Sequence, residues 1–166
     1  MKRVVITGIG AVTPIGNSFH ESWSALKKGV SGISSLTKFD VSDIKWKVAG
    51  ELKGFDAGVY LSEKQTVHSD PFVHYAVAAS VMAAEDAGFL RQGLGDRGQG
   101  LALLESAGVI IGSSRGGITT IEKAISYQHS KKRAEGYKLK ADSFKLSPYL
   151  MPSTSVNAAA SYVSQK

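Results

Sequence analysis

The sequence predicts an α/β fold with at least some parallel strand pairing. Two observations carry that prediction. Two short runs rich in β-branched residues, 4–7 (VVIT) and 106–113 (SAGVIIGS), each lead through a glycine turn into a helical pattern. An alanine-rich segment of helical period lies between them, giving the strand–helix–strand alternation of an α/β layer architecture.

Residues 4–7 read as a buried strand, and Gly8-Ile9-Gly10 as a tight turn that needs a permissive backbone. Pro14, Gly16 and Asn17 mark a loop. Ser18 is the expected N-cap of a helix carrying Phe19, Trp23 and Leu26 on one face, which Gly29 ends. Residues 47–52 (KVAGEL) fit a short strand, and Ser62 opens a helical segment. The strongest helix is expected over 71–87, with Phe72, Tyr75, Ala76, Ala79, Met82 and Ala83 along one face. Pro71 suits its first position and Gly88 its C-terminal cap. Its alanines leave a narrow surface suited to close packing. Residues 91–100 read as a glycine-rich connector and 106–113 as a second buried strand. Gly116-Gly117 then turns the chain into a helix from Ile118 to about His129, followed by a polar, lysine-rich stretch to Lys140. Ser147-Pro148 and Met151-Pro152 punctuate the next loop. Ser153 and Thr154 are the expected N-caps of a small-residue helix from Val156 onward.

Bulk composition narrows the function classes. The chain has 166 residues, 43% hydrophobic and 20% charged, which argues against intrinsic disorder. It has no cysteine, so disulfides, thiolate metal sites and a cysteine nucleophile are excluded within these residues. No apolar stretch approaches membrane-spanning length, and Gly8, Gly10 and Pro14 break the N-terminal apolar run before a signal peptide core forms. The expectation is a soluble, cytoplasmic protein. The net charge of +6 is spread out, with one cluster at Lys131-Lys132-Arg133, and no nucleic-acid motif accompanies it.

Three patterns invite a chemical reading. Thr7-Gly8 after an apolar run is the start of a dinucleotide loop, but Val12 and Pro14 stand where glycines would let a pyrophosphate approach. Tyr127 and Lys131, with Ser114 upstream, have the spacing of a short-chain dehydrogenase acid pair. The competing reading makes Tyr127 an ordinary helix residue. The segment GSSRGG, residues 112–117, either binds an anion at a helix N-terminus or is a steric turn, and no Walker lysine follows it. The histidines at 20, 68, 74 and 129 lack metal-ligand spacing.

Three ordered segments together resemble the N-terminal half of β-ketoacyl-acyl-carrier-protein synthases. They are RVVITGIGAVTPIGN followed by the Trp23, Leu26, Gly29 helix and SGIS; the stretch from Asp70 through Gly88; and GSSRGG followed by SPYLMPSTSVNAAA. Together they cover nearly the whole chain, which makes the combination specific although each piece is weak.

The resemblance implies a thiolase-like layered α/β/α/β/α fold, with residues 1–166 its N-terminal part, truncated before the nucleophile. It implies a decarboxylative Claisen condensation of acyl and malonyl thioesters in fatty-acid or polyketide synthesis. A cysteine thiolate takes the acyl group and two histidines assist decarboxylation. The cysteine is expected shortly after Lys166 and the histidines further on, so no catalytic residue is expected in this chain. Arg115 and Met151 map to the acyl pocket, and Arg115 stands where apolar residues are usual. Lys64 and Lys145 map to carrier-protein docking, while Val67 and His68 stand where further basic residues are common. The implied partner is acyl-carrier protein, with a homodimer for the full-length parent, no cofactor or metal, no nucleic acid and no membrane insertion. A non-catalytic partner of chain-length-factor type is the related alternative, and the dehydrogenase is the alternative of a different class.

Overall fold

A computed structural model describes residues 3–89, 107–135 and 147–166, with 128–135 described as backbone only. The connector 91–100, the polar stretch beyond Glu135 and Lys145 lie outside the described residues. The chain forms two compact units. One comprises residues 1–57 with 78–107, the other 58–77 with 108–166.

In the first unit, helix α1 (Phe19–Lys27) starts as expected at Ser18, whose hydroxyl accepts from Glu21 N at 3.2 Å. The Glu21 carboxylate returns to Asn17 N at 2.8 Å, so two end amides that no helix carbonyl can reach are satisfied. Gly29, at φ +69°, closes the helix. Its N–H donates to Leu26 O while Val30 N donates to Ala25 O, the paired bonds of a Schellman end. A two-stranded antiparallel ribbon follows, β1 (Ile33–Ser35) with β2 (Val48–Gly50), in the register Ser34 opposite Ala49. The expected strand at 47–52 is present in its central part; its partner β1 is not foreseen from the sequence. Glu51, buried beside the ribbon, accepts from Thr37 Oγ1 at 2.7 Å and from the amides of Thr37 and Lys38 at 3.2 Å. These bonds, the Thr37 hydroxyl first, hold its carboxyl below the usual carboxylate range.

Helix α3 (Pro71–Asp86) runs through the segments assigned to both units, and its start at Pro71 and end before Gly88 match expectation. Gly88 (φ +81°) makes a second Schellman end: Gly88 N donates to Glu85 O and Phe89 N to Ala84 O. The second half of α3 explains Gly8 and Gly10. A Cβ at Gly8 would collide with the backbone of Ala83 and Ala87, and one at Gly10 with that of Ala79 and Ala83. Chain and helix meet backbone to backbone there, and Gly8 also meets the Ala87 Cβ. Ile9 N also donates to Asp86 Oδ2 at 2.9 Å.

After a 3₁₀ turn (Ala57–Val59) that begins on the last residue of the first segment, the second unit holds α2 (Glu63–His68), the first half of α3, α4 (Ile118–Glu135), α5 (Leu150–Thr154) and α6 (Asn157–Val163). Helix α5 packs on α4 and on α6. Among the described residues of this unit, Leu61, Val73, Val77 and Ala159 are the buried apolar ones.

Three expectations need correction. Residues 4–7 and the described part of the second run, 107–113, are not strands. Among the described residues neither is hydrogen-bonded to a neighbour in a sheet, and Val4, Ile6 and Ile110 are 93, 85 and 98% exposed. β-Branched composition fits a pleated surface, but a strand exists only once a second strand satisfies its amides and carbonyls. Helix α4 runs on to Glu135, past His129. Ser153 and Thr154 do not cap α6. They sit inside α5 and donate to Leu150 O and Met151 O at 3.1 and 3.2 Å. Pro152 is accommodated in α5 because first-turn amides have no helical acceptor.

Candidate functional site

The site elements of the second unit are fixed by one carboxylate. Helix α2 opens with a capping box, Ser62 with Gln65, and ends at His68. Two residues later Asp70, 2% exposed, caps α3 through Phe72 N at 3.2 Å. Its other oxygen accepts from Thr120 N at 2.7 Å and Thr120 Oγ1 at 2.8 Å. Thr120 lies in the first turn of α4, so Asp70 satisfies the ends of two helices and places negative charge at both N-termini, where the helix dipoles favour it. Sequence inspection missed this role. The available signal was an aspartate directly before a proline at a helix start, but its second partner lies 50 residues away.

The same bond decides between the two readings of residues 112–117. The N-terminus of α4 already holds a carboxylate, so the turn does not need an external anion. Its glycines have a steric reason. Gly116 (φ +59°) and Gly117 are buried, and a Cβ on them would come within 2.5 Å of Thr154 O and 2.6 Å of Ser153 O respectively. Gly117 N donates to Thr154 O at 3.2 Å and Gly116 N to Ser113 Oγ at 3.0 Å. The turn that carries Arg115 is thereby pressed onto α5, which carries Met151. The two residues expected at the acyl pocket thus lie on touching segments. Both are exposed, Met151 to 77%, so the Arg115 guanidinium keeps its water and needs no buried partner.

The end of α2 faces α4 and α5 across a cleft of about 410 Å³. Its walls include Val67, His68, Lys123, Tyr127 and Tyr149. A second cleft of about 350 Å³ includes Lys64, Gln65, Pro152 and Tyr162. The two share His68, Tyr149 and Ser153, and the His68 and Tyr149 rings stack at 4.1 Å with 25° between their planes. No aspartate or glutamate is among the described residues lining either cleft. Lys64, expected to dock a carrier protein, therefore lines the smaller cleft, while Lys145 lies outside the described residues. Lys123, Tyr127 and Tyr149 join this surface without having been singled out for it. Behind it His74, half-buried, bonds through Nε2 to Ser69 Oγ at 3.0 Å, and Ser69 Oγ donates to Gln65 O at 2.6 Å. The serine proton is thus committed, so His74 donates from Nε2. Burial is the main cause that pushes its pKa below 6.5, against opposing help from Thr66, Asp70 and Ser69.

The dinucleotide reading of the first glycines fails on the geometry already given, because α3 covers Gly8 and Gly10 where a pyrophosphate would have to approach. Among the described residues no group of three or more His, Asp or Glu is placed to hold a metal ion, and no helix is long and apolar enough to cross a membrane.

The family model "Beta-ketoacyl synthase, N-terminal domain" matches residues 1–166. The chain belongs to the β-ketoacyl synthase family. It is 37% identical over 163 residues to the 3-oxoacyl-[acyl-carrier-protein] synthase 2 of Vibrio cholerae, covering 98% of this chain and 35% of that protein. It is 40% identical over 121 residues to the enzyme of the same name from Synechocystis sp., covering 73% and 27%. The chain thus spans about a third of the length of these relatives. Among solved structures, a β-ketoacyl synthase from Burkholderia phymatum superposes with a TM-score of 0.69 at 28% identity, covering 99% of this chain and 36% of that one. A type II polyketide ketosynthase solved with its acyl-carrier protein superposes with a TM-score of 0.63 at 21% identity, a likeness of fold. The thiolase-like fold class expected from the sequence is therefore the fold of this family, and the dehydrogenase alternative finds no support in it.

Proposed function

We propose that this chain is the N-terminal part of a 3-oxoacyl-[acyl-carrier-protein] synthase. It contributes the carrier-docking surface and part of the acyl-pocket wall to a decarboxylative condensation, and it is inactive alone. The observation that carries this reading is the family match over the whole chain, together with the contact of Gly116-Gly117 on Ser153 and Thr154 that joins the Arg115 turn to the Met151 helix. The chemistry needs a thiolate to accept the acyl group. With no cysteine in these 166 residues, that thiolate is supplied from outside them, and the motif resemblance implies the same for the two histidines. Lys64 and Lys145 meet an acidic acyl-carrier protein, and Arg115 and Met151 influence which acyl chains are accepted. The complete enzyme works in the cytoplasm as a homodimer and uses no metal or cofactor.

The test has two arms. The chain is incubated with acyl- and malonyl-loaded carrier protein and the products are read by mass spectrometry; no 3-oxoacyl product is expected. The reading frame is then sequenced past codon 166, where a cysteine within a small-residue turn is expected. A 3-oxoacyl product from the chain alone, or a stop codon in the native gene directly after Lys166, would refute the proposal.

A further inference from the structure

We propose that α2 is a pH-released strap, latched onto α3 by His74 and freed when that imidazole takes up a proton.

The strap is defined by what holds it. Leu61 before α2 and Asp70 after it are 3 and 2% exposed, while α2 itself has no buried residue. Its capping box, Ser62 with Gln65, is internal to it. A helix of six residues does not persist without tertiary support. A tie to α3 runs through the buried Ser69, whose Oγ donates to Gln65 O at 2.6 Å and accepts from His74 Nε2 at 3.0 Å. One half-buried imidazole on α3 thus holds, through the α2–α3 link, a carbonyl of α2. The anchor beyond it is independent, because Asp70 is bonded to Phe72 and Thr120.

The latch has a preferred charge. Nε2 carries its hydrogen both in the neutral tautomer used here and in the imidazolium, so protonation does not break the bond to Ser69. It places a cation where burial opposes one. The charged groups that face the ring are Asp70 from the link, which favours the cation, and Lys123 from α4, which opposes it. The backbone of Thr66 and Ser69 also favours it. Burial is the largest influence and keeps the imidazole neutral below its usual range. Water relieves the buried cation. The least costly way to admit water is to lift α2, which gives up no side chain buried within the helix and leaves the bonds of Asp70 to Phe72 and Thr120 in place. Val67 and His68 wall the larger cleft and Lys64, Gln65 and His68 the smaller, so release of α2 dismantles both.

The experiment is amide hydrogen exchange of the 166-residue chain from about pH 8 to about pH 5, corrected for intrinsic rates. It compares residues 62–69 with residues 76–82, which surround the buried Val77 and Ala78. Residues 62–69 should be the less protected. Their protection should fall by up to about tenfold per pH unit below 6.5, until the folded imidazole is itself protonated. His74→Gln, whose amide still donates to Ser69, should keep the protection and lose its pH dependence. Ser69→Ala should lose protection of 62–69 at every pH. Lys123→Ala should shrink the pH response without changing protection at the alkaline end, and His68→Gln should leave the response unchanged. A proton NMR titration of His74 in the unsubstituted chain gives a second reading, with a midpoint expected below 6.5. Flat protection at 62–69, a response that survives in His74→Gln, or a His74 midpoint at or above 6.5 would each overturn the latch. Equal protection of the two segments, falling together, would also overturn it, because the proton would then act by global unfolding and not by release of the strap.

Discussion

Removing the Asp70 carboxylate unlocks the start of α4. Asp70→Ala deletes three accepted hydrogen bonds, from Thr120 N, Thr120 Oγ1 and Phe72 N, at a position only 2% exposed. A hydrogen bond to a charged acceptor contributes about 1.5–3 kcal/mol, and an amide left buried without a partner costs about 1–3 kcal/mol. Loss of an N-cap alone costs about 1 kcal/mol. Because the Thr120 hydroxyl can rotate toward another acceptor, these do not sum fully, and a loss of about 3–5 kcal/mol is expected. Asp70→Asn should lose roughly half of that, since its remaining oxygen still caps Phe72 while its amide hydrogens face the Thr120 donors. The informative assay is amide hydrogen exchange, which reads α4 separately from the rest of the chain. At about 1.4 kcal/mol per decade, the Thr120 amide should exchange at least about a hundredfold faster in Asp70→Ala. The second Schellman end, at Gly88, should keep its protection. Exchange at Thr120 within about threefold of the unsubstituted chain would refute the two-helix cap.

Other expectations follow from the same geometry. Gly117→Ala drives a methyl into Ser153 and Thr154, and Gly116→Ala adds a positive-φ penalty; each should destabilise by about 1–3 kcal/mol in urea unfolding, whereas Gly112→Ala, with open space around it, should not. His74 has a pKa lowered below 6.5 by burial, so the unfolded chain takes up a proton that the folded chain resists. Stability is therefore full above about pH 6.5 and falls as pH drops through that value, and His74→Gln should flatten the curve there. Glu51, also lowered, adds a separate loss only below its unperturbed value of 4.5. Finally, Val4, Ile6 and Ile110 expose unpaired apolar edges, so the chain should self-associate in sedimentation velocity, and Ile6→Lys with Ile110→Lys should shift it toward monomer. A monodisperse unsubstituted chain would contradict this.

What could be read from the sequence was what is decided within a few residues. The ends of α1 and α3 were legible because Ser18, Gly29, Pro71 and Gly88 act on their own turn. Residues 4–7 and 107–113 were misread because composition encodes a willingness to pair, and pairing depends on neighbours distant in sequence. Ser153 and Thr154 looked like caps because hydroxyls suit that position, but the same hydroxyls bond backward within α5 just as well. The site divides the same way. Arg115, Met151 and Lys64 are assigned by motif position alone. Asp70 with Thr120, and the ring pair of His68 with Tyr149, join residues 50 or more apart and leave no trace in any window of the sequence.

The glycines at 8 and 10 bear on how such sequences vary. A phosphate-binding loop demands glycine for the sake of its ligand and leaves the facing helix free to change. Here the demand comes from the protein itself, because the space a Cβ would fill is held by the helix backbone at Ala79, Ala83 and Ala87 and by the Ala87 Cβ. A saturation library should therefore show positions 8 and 10 nearly intolerant and Ile9, which is exposed, permissive. Of the facing helix residues only Ala87 meets the loop through its Cβ, so a larger residue at 87 should be damaging as well, while Ala79 and Ala83 meet it through backbone atoms. The pattern of tolerated substitutions would then distinguish a glycine motif made by packing from one made by a nucleotide, without a ligand in hand.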